Sequence, residues 1–344
     1  MIPVIALTGH LGAGKTTVLN HLLRRPGARV GVVVNDFGAI NVDAGLVTGQ
    51  VDEAASIAGG CICCLPEAGG LDQALSRLTE PRLRLDAVIV EASGAAEPLA
   101  LARLIRSSGA EHARPGGLVD VIDAVEHFRT VDTGGLPPAR YAAASLVIAN
   151  KMDLLPPEQR ETRLAELTAR VRERNPVAPV VPTERGAIDP ALVFDVAEAE
   201  DPPDQLPIAA LLRSLETGHD GHGHDAPLHE HASAVTARAD GPADAGAILD
   251  LLEDPPRGVY RLKGCVAVRT PRGGRRYLFN LVGASIHVAP APPRSADGAD
   301  ALVAIGPELD EAEVGARLAA ALAPADRAAA AGLRRLQRYR RLSA

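Results

Sequence analysis

The chain has 344 residues, a formal net charge of -7 at pH 7 and four cysteines. This length allows one large domain and a smaller one, and the acidic balance argues against binding nucleic acid through a broad basic surface. No apolar stretch approaches the roughly 20 residues that span a bilayer, and Met1-Ile2-Pro3 lacks the cationic start of a secretory signal. We therefore expect a cytoplasmic protein with neither a membrane nor a nucleic-acid partner.

Residues 1–198 alternate short aliphatic runs with segments of helical spacing. The aliphatic runs are rich in β-branched residues and predict buried parallel strands at residues 2–8, 30–34, 87–90, 117–122, 146–149 and 177–181. Helical spacing is found at residues 17–23, 71–78, 99–105 and 158–173. This alternation predicts an α/β fold, a doubly wound and mostly parallel sheet in which ligands bind at the carboxyl ends of the strands.

A glycine-rich turn, Gly9-His10-Leu11-Gly12-Ala13-Gly14-Lys15-Thr16, joins the first predicted strand to the first predicted helix. Backbone N–H groups in such a turn surround phosphate oxygens, the lysine neutralises their charge, and the threonine hydroxyl can ligate Mg²⁺. The alternative is a chance turn beside a surface lysine, but the flanking strand and helix favour a P-loop NTPase. The residues predicted to bind the nucleotide here are Gly9, Gly12, Ala13, Gly14, Lys15, Thr16 and Thr17, and Lys15 is also a catalytic candidate.

The tetrapeptide Asn150-Lys151-Met152-Asp153 follows another predicted strand. An aspartate carboxylate accepts two hydrogen bonds from the N1–H and the amino group of guanine, whereas adenine would leave the acid unpaired. The motif therefore predicts GTP rather than ATP, with Asn150, Lys151 and Asp153 as candidate nucleotide-binding residues.

Acidic residues after two further predicted strands are candidates for catalysis. Glu91 is placed to hold Mg²⁺ through water and Gly94 to present an N–H near the γ-phosphate, although Glu91 could instead cap the next helix. Asp36 and Asp43 lie in the turn-rich segment after the second strand, where a nucleotide-dependent switch normally sits. Either aspartate could position the attacking water or contact Mg²⁺, or be an ordinary turn residue, so the assignment stays open.

Three of the four cysteines lie within four positions, in Gly59-Gly60-Cys61-Ile62-Cys63-Cys64. Thiolates are soft ligands that suit Zn²⁺ and related ions, and the glycines allow the sharp turn that three sulfurs on one ion require. A buried apolar cluster or a redox pair is the alternative, although disulfides at such short range would be strained. We predict metal binding by Cys61, Cys63 and Cys64, and expect Cys265 to be a small core residue of a strand.

Residues 199–232 are rich in Asp, Pro, Gly and His without a sustained period, which predicts a linker with a short helix near residues 209–215. Imidazoles at irregular spacing on a flexible segment suit loose capture of Zn²⁺, Ni²⁺ or Co²⁺, and a purely polar linker is the alternative. The accessory metal candidates are His219, His222, His224, His229 and His231.

Residues 233–323 predict a compact α+β domain. Strands are expected at residues 233–238, 258–268, 275–281 and 301–305, and helices at residues 243–252 and 311–322. The last segment, residues 324–344, contains the arginines Arg334, Arg335, Arg338, Arg340 and Arg341. We expect a basic tail with a solvated helix end rather than a site for an anionic partner.

Taken together, segments 9–17, 35–43, 59–65, 91–98 and 150–153 resemble those of the CobW-like family of P-loop GTPases, relatives of the nickel-insertion GTPases for urease and hydrogenase. The His-rich linker and segments 259–264 and 302–306 resemble the C-terminal part of that family. The resemblance implies slow hydrolysis of GTP to GDP and phosphate, with Mg²⁺, by a metallochaperone that holds Zn²⁺ or Co²⁺. It also implies delivery to a client metalloprotein or a cobalamin-synthesis enzyme, by a monomer or a nucleotide- or metal-dependent homodimer.

Carried over by position, the resemblance assigns phosphate and Mg²⁺ to Lys15 and Thr16, the Walker B role to Glu91, and guanine to Asn150 and Asp153. It assigns the transferred ion to the three clustered thiolates.

This sequence departs from the family pattern near the second strand. Asp36 stands where relatives usually have Glu, and Val34 and Ala39 stand where acidic residues are common. A secondary metal site on those carboxylates is therefore not expected here. Two other functions stay open: a GTPase switch in which structural zinc supports regulation of a protein partner, and a nucleotide-binding module without useful hydrolysis.

Overall fold

The computed structural model describes residues 1–24, 29–35, 53–57, 69–92, 94, 97–194, 232–291 and 299–343. These residues form two units. The larger unit is built on a parallel sheet and is described as far as Phe194, and the smaller unit is built on an antiparallel sheet that begins at Ser233. Across these ranges no helix combines the length and the hydropathy that crossing a membrane requires.

The described residues of the larger unit form a seven-stranded sheet. Its strands are β1 (Ile2–Gly9), β2 (Val30–Asn35), β3 (Glu53–Ile57), β4 (Ala87–Glu91), β5 (Ala113–Asp123), β6 (Leu146–Asn150) and β7 (Val180–Pro182). The order is β3-β2-β4-β1-β5-β6-β7, and every neighbouring pair is parallel. The carboxyl ends of these strands therefore lie at one edge, and the doubly wound parallel sheet expected from the sequence is confirmed.

Helices cover both faces of this sheet. They are α1 (Lys15–Arg24), α2 (Gly69–Leu78), α3 (Pro98–Arg106), α4 (His127–Thr130) and α5 (Pro157–Arg172). Apolar residues of α2, α3 and α5 pack with Val4 and Val88 on one face, while those of α1 pack with Ile5 and Ile89 on the other. Alternate residues of β1 and β4 thus point to opposite faces, and both faces are buried.

Within residues 232–291 and 299–343, the smaller unit is a five-stranded antiparallel sheet with three helices. Its elements are β8 (Ser233–Arg238), α6 (Ala245–Glu253), β9 (Arg261–Thr270), β10 (Gly273–Val282), β11 (Ser285–Pro290), β12 (Ala301–Gly306), α7 (Glu311–Leu322) and α8 (Ala330–Leu342). The strand order is β11-β10-β9-β12-β8. Asp244 accepts hydrogen bonds from the N–H groups of Gly246 and Ala247 at the start of α6, so the helix begins where a side chain satisfies its free donors.

The structure differs from the sequence expectations at several points. Helix α8 occupies the segment expected as a basic tail, and its Leu336 is buried in the core of the smaller unit, so this segment is part of that unit. Strands β3 and β11 were not predicted. Strand β7 begins at Val180 rather than residue 177, because the Asn175-Pro176 turn leaves Val177 58% exposed. The short helix expected at residues 209–215 lies outside the described residues.

The smaller unit packs against the larger one away from the carboxyl ends of the strands. Tyr260 and Val282 belong to the same buried cluster as α1 and β1. A Cβ at Gly117 would lie 2.8 Å from Val282 Cγ1, and one at Gly283 would lie 2.9 Å from Ser145 Cβ. Ser145 immediately precedes β6, so the contact is at the amino-terminal edge of the parallel sheet.

Candidate functional site

The phosphate loop lies between the end of β1 at Gly9 and the start of α1 at Lys15. Gly12 and Gly14 have φ values of +79° and +97°, a region that other residues rarely adopt. Lys15 Nζ donates to the carbonyl oxygens of Gly9, at 3.1 Å, and His10, at 3.4 Å. The Lys15 ammonium group therefore lies over the turn. It is beside the amino terminus of α1, where the helix dipole favours binding of an anion.

Thr16 and Glu91 meet at the carboxyl ends of two paired strands. Strand β4 lies beside β1, with Leu7 opposite Glu91, and the Glu91 carboxyl is buried. Thr16 Oγ1 donates a hydrogen bond of 2.8 Å to Glu91 Oε1. A hydroxyl and a carboxylate are oxygen donors of the type that Mg²⁺ prefers, so this pair fits that ion.

Asn150 ties the phosphate loop to two other segments. Its amide Nδ2 donates to the carbonyl of Ala13 at 3.0 Å, and its Oδ1 accepts from Thr183 Oγ1 at 3.2 Å and from the Gly186 N–H at 2.9 Å. The residue is 2% exposed, and a Cβ at Gly14 would lie 2.3 Å from Nδ2. Asn150, which is expected to bind the nucleotide, therefore also supports the phosphate loop, and its contact with the nucleotide stays a prediction.

The other two residues of this motif lie nearer the surface. Lys151 has a φ of +67°, and its Nζ lies 2.7 Å from Asp123 Oδ2. Asp153 lies in the short turn of helix Met152–Leu154, and its Oδ2 is 3.7 Å from Nε of the exposed Arg185. The structure brings these side chains to the same edge as the phosphate loop, since β1, β5 and β6 are neighbouring parallel strands.

Gly94 follows β4 and approaches the tip of the phosphate loop. A Cβ at this position would lie 2.7 Å from both the backbone N and Cα of Leu11, so a larger residue would displace the loop. This closeness agrees with its predicted place beside the phosphates. Leu11 itself is 81% exposed.

Sequence reasoning missed three residues of this region. Thr183 and Gly186 bind Asn150 from the loop after β7, where a Cβ at Gly186 would lie 2.8 Å from the Val18 N of α1. Asp123, the last residue of β5, binds Lys151. A glycine shortly after a predicted strand was the available signal for Gly186, whereas nothing in the sequence pairs Asp123 with Lys151.

Two buried hydrogen-bonded groups of side chains lie next to the loop. Asp120 has no exposed surface and accepts from Thr8 Oγ1 at 2.8 Å, and Arg140 binds both of its oxygens. His127 Nε2 is hydrogen-bonded to the Tyr141 hydroxyl, which donates to Asp132. Burial is the main cause that lowers the pKa of His127 to about 4, so this imidazole is neutral at pH 7.

The remaining predicted site residues lie outside the described residues. They are Asp36, Asp43, Cys61, Cys63, Cys64, His219, His222, His224, His229 and His231. Among the residues that are described, no three His, Cys, Asp or Glu side chains are grouped as a metal site. Cys265 is a free cysteine of β9, so its expected place in a strand is confirmed, but it is only partly buried and lies outside the core cluster of the smaller unit, so it is not the core residue expected.

A phosphate loop between the first strand and helix of a parallel sheet, with Glu91 on the neighbouring strand and the 150–153 motif after β6, defines a P-loop GTPase. The model of the CobW/HypB/UreG nucleotide-binding domain matches residues 3–180, and that of the cobalamin synthesis protein cobW C-terminal domain matches residues 232–322. The chain belongs to this CobW/HypB/UreG family.

The chain is similar to two proteins named as zinc chaperones and to one solved structure. The zinc chaperone CobW of Pseudomonas aeruginosa is 30% identical over an alignment of 362 positions, which covers 94% of this chain and 92% of that protein. The zinc chaperone YjiA of Escherichia coli is 30% identical over 202 residues, which cover 56% of this chain and 61% of that protein, so this match spans less than two thirds of YjiA. A crystal structure of Zn(II)-bound YjiA GTPase from E. coli aligns over 93% of this chain and 98% of that chain, with 21% identity and a TM-score of 0.42.

Proposed function

We propose that this chain is a GTP-hydrolysing metallochaperone. It binds Zn²⁺ or Co²⁺ at Cys61, Cys63 and Cys64 and delivers the ion to a client protein, in a way that depends on whether GTP or GDP is bound. Membership of the CobW/HypB/UreG family supports the proposal, as do relatives that carry the name zinc chaperone.

For the nucleotide, we assign the phosphates to the loop of residues 9–17 and the guanine to Asp153. Lys15 neutralises phosphate charge, and Asn150 holds the loop in shape through the Ala13 carbonyl. Thr16 and Glu91 would hold Mg²⁺, which supplies further charge neutralisation of the phosphates when bound. Asp36 and Asp43 stay candidates for positioning the attacking water.

In this proposal the metal is cargo. Soft thiolates bind Zn²⁺ and Co²⁺ well, and the bonds between the ion and the sulfurs can form or break when the positions of the sulfurs change. The observation that carries the proposal is the sheet order. Strand β3 ends at Ile57 at the same edge as β1 and β4, which present the phosphate loop and Glu91. Cys61 comes four residues after Ile57, so the three cysteines are close in sequence to the end of a strand at the edge where the nucleotide would bind.

Nucleotide-dependent metal affinity tests this proposal. We expect Zn²⁺ and Co²⁺ to bind with different dissociation constants in the presence of a non-hydrolysable GTP analogue and of GDP, since a ligand shifts a second site only through such a difference. Equal constants would refute the coupling. Cys63→Ala should lose most of the metal affinity, and Cys265→Ala, which changes a cysteine of β9 in the smaller unit, is the matched control and should keep it.

The exchange rate of the metal separates this function from a GTPase switch with structural zinc. A chaperone should transfer Zn²⁺ to a chelator faster in one nucleotide state than in the other. Metal that exchanges slowly in both states would favour the structural role and a regulated protein partner.

We further propose that His219, His222, His224, His229 and His231 capture metal loosely before it reaches the thiolates. Replacing all five with Asn should lower the number of weakly bound ions and leave the affinity of the tight site unchanged. Loss of the tight site in that variant would contradict an accessory role.

A further inference from the structure

Asp123, the last residue of β5, uses its two carboxylate oxygens for different partners. Oδ1 accepts from the backbone N–H groups of Val125 at 3.0 Å and Glu126 at 3.1 Å, which fixes the turn into α4. Oδ2 accepts from Lys151 Nζ at 2.7 Å. The Asp123 side chain is 14% exposed and that of Lys151 is 30% exposed, so the pair is only partly open to water.

Lys151 lies between two other residues of the proposed nucleotide site. It follows Asn150, which supports the phosphate loop, and precedes Asp153, the proposed guanine acceptor. Its φ of +67° places it in the left-handed region, so its local conformation depends on its surroundings. Lys151 and Asp123 also line a cavity of about 220 Å³ together with residues of the phosphate loop.

The strands explain why these two side chains meet. In the parallel pairing of β5 and β6, Asp123 lies opposite Asn150, the last residue of β6, so the lysine comes immediately after the paired position. The Ala124 N–H also donates to the Asn150 carbonyl at 2.9 Å, which ties the two strand ends together. A lysine side chain has four rotatable bonds. Because Asp123 already holds the Lys151 ammonium group, this side chain loses less conformational freedom when a ligand binds than an unheld lysine would.

We propose that Asp123 is a positioning residue for guanine-nucleotide recognition, because it holds Lys151 along the wall of the phosphate loop before the nucleotide binds. This inference rests on the proposed GTP-binding function. It assigns Asp123 no contact with the nucleotide, and its effect passes through Lys151.

Asp123→Asn separates the two tasks of the carboxylate. The Asn side chain keeps an oxygen that can accept from Val125 and Glu126, but it loses the charge that binds Lys151. Asp244→Asn is the matched control, because Asp244 Oδ1 accepts from the same i+2 and i+3 positions, at 2.8 and 3.1 Å, in the smaller unit.

The test is a double-mutant cycle on the full chain, with the affinity for GDP and a non-hydrolysable GTP analogue as the readout. We expect Asp123→Asn to weaken binding about tenfold, as the loss of one charge-assisted contact would. In the Lys151→Ala background, Asp123→Asn should have no further effect. The melting temperatures of Asp123→Asn and Asp244→Asn should stay close to that of the unchanged chain, and Asp244→Asn should keep full nucleotide affinity.

Several results would overturn the inference. They are unchanged affinity in Asp123→Asn, additive losses in the double variant, or an affinity loss that only follows a lowered melting temperature. If the unchanged chain binds GTP and Asp123→Asn binds equally well, the inference alone fails. If the unchanged chain binds no guanine nucleotide, the proposed function fails first.

Discussion

Replacing Asn150 with alanine should destabilise the larger unit and weaken nucleotide binding together. The change removes three hydrogen bonds from a residue that is 2% exposed, and it leaves the Ala13 carbonyl, the Thr183 hydroxyl and the Gly186 N–H without this partner. Each bond contributes about 0.5–1.5 kcal/mol net, and a buried group left unsatisfied costs more. The expected loss in the free energy of unfolding is therefore about 2–4 kcal/mol.

This loss corresponds to a drop of about 5–15 °C in the melting temperature of a unit of this size. Thermal unfolding followed by circular dichroism measures it, and titration with a fluorescent GDP analogue measures affinity. We expect the nucleotide affinity to fall as well, because the phosphate loop loses the amide that binds the Ala13 carbonyl.

Asn175→Ala is the matched control. Asn175 is also buried and makes three hydrogen bonds, to the carbonyls of Tyr141 and Ala144 and from the Ala178 N–H, but none of them reaches the phosphate loop. Its variant should lose a similar amount of stability and keep the nucleotide affinity of the unchanged chain. The reasoning is refuted if Asn150→Ala keeps full stability while losing affinity, since Asn150 would then act on the nucleotide alone.

Three further predictions concern ionisable groups near the loop. Arg140→Ala leaves the fully buried Asp120 without its bidentate partner and should cost about 3–5 kcal/mol in urea unfolding. Glu91→Gln removes the carboxylate charge from the Mg²⁺ site proposed for Glu91 and Thr16. It should raise the Mg²⁺ concentration for half-maximal GTP hydrolysis about 10- to 100-fold. Because burial lowers the pKa of His127 to about 4, stability should fall as pH drops from about 6.5 to about 4, and His127→Gln should reduce that fall by up to about 3 kcal/mol.

The controls differ between these predictions. Adding Asp120→Asn to Arg140→Ala should restore part of the stability, and equal stability of Arg140→Ala and the unchanged chain would contradict a buried ion pair. An unchanged Mg²⁺ requirement in Glu91→Gln would remove Glu91 from the site. Burial also lowers the pKa of His287 to about 4, so the pH profile must be repeated with His287→Gln, and a slope that persists in His127→Gln alone but disappears in His287→Gln would contradict the assignment to His127.

The sequence predicts the sheet of the larger unit well because its central strands are continuous aliphatic runs that have to be buried on both faces. Strand β3 escapes this reasoning, since Glu-Ala-Ala-Ser-Ile lies at the edge of the sheet and is neither uniformly aliphatic nor alternating. Strand β11, Ser-Ile-His-Val-Ala-Pro, is also an edge strand and ends in proline.

For the site, sequence motifs identify residues but not their partners. The phosphate loop and the 150–153 motif were recognisable because their residue types follow from chemistry at fixed spacing. The contact of Asn150 with Gly186, 36 positions away, and that of Lys151 with Asp123, 28 positions away, depend on the pairing and register of β5, β6 and β7. Strand register is set by packing in three dimensions, which no short motif encodes.

The docking of the smaller unit at the amino-terminal edge of the parallel sheet has a consequence for access. Within the described part of the chain, that unit does not lie across the phosphate loop, and Leu11 and Leu154 beside the nucleotide site are 81% and 65% exposed. A molecule that binds at the phosphate loop therefore does not need to displace the described part of the smaller unit. The described residues of the smaller unit lie at the opposite edge of the sheet from the phosphate loop.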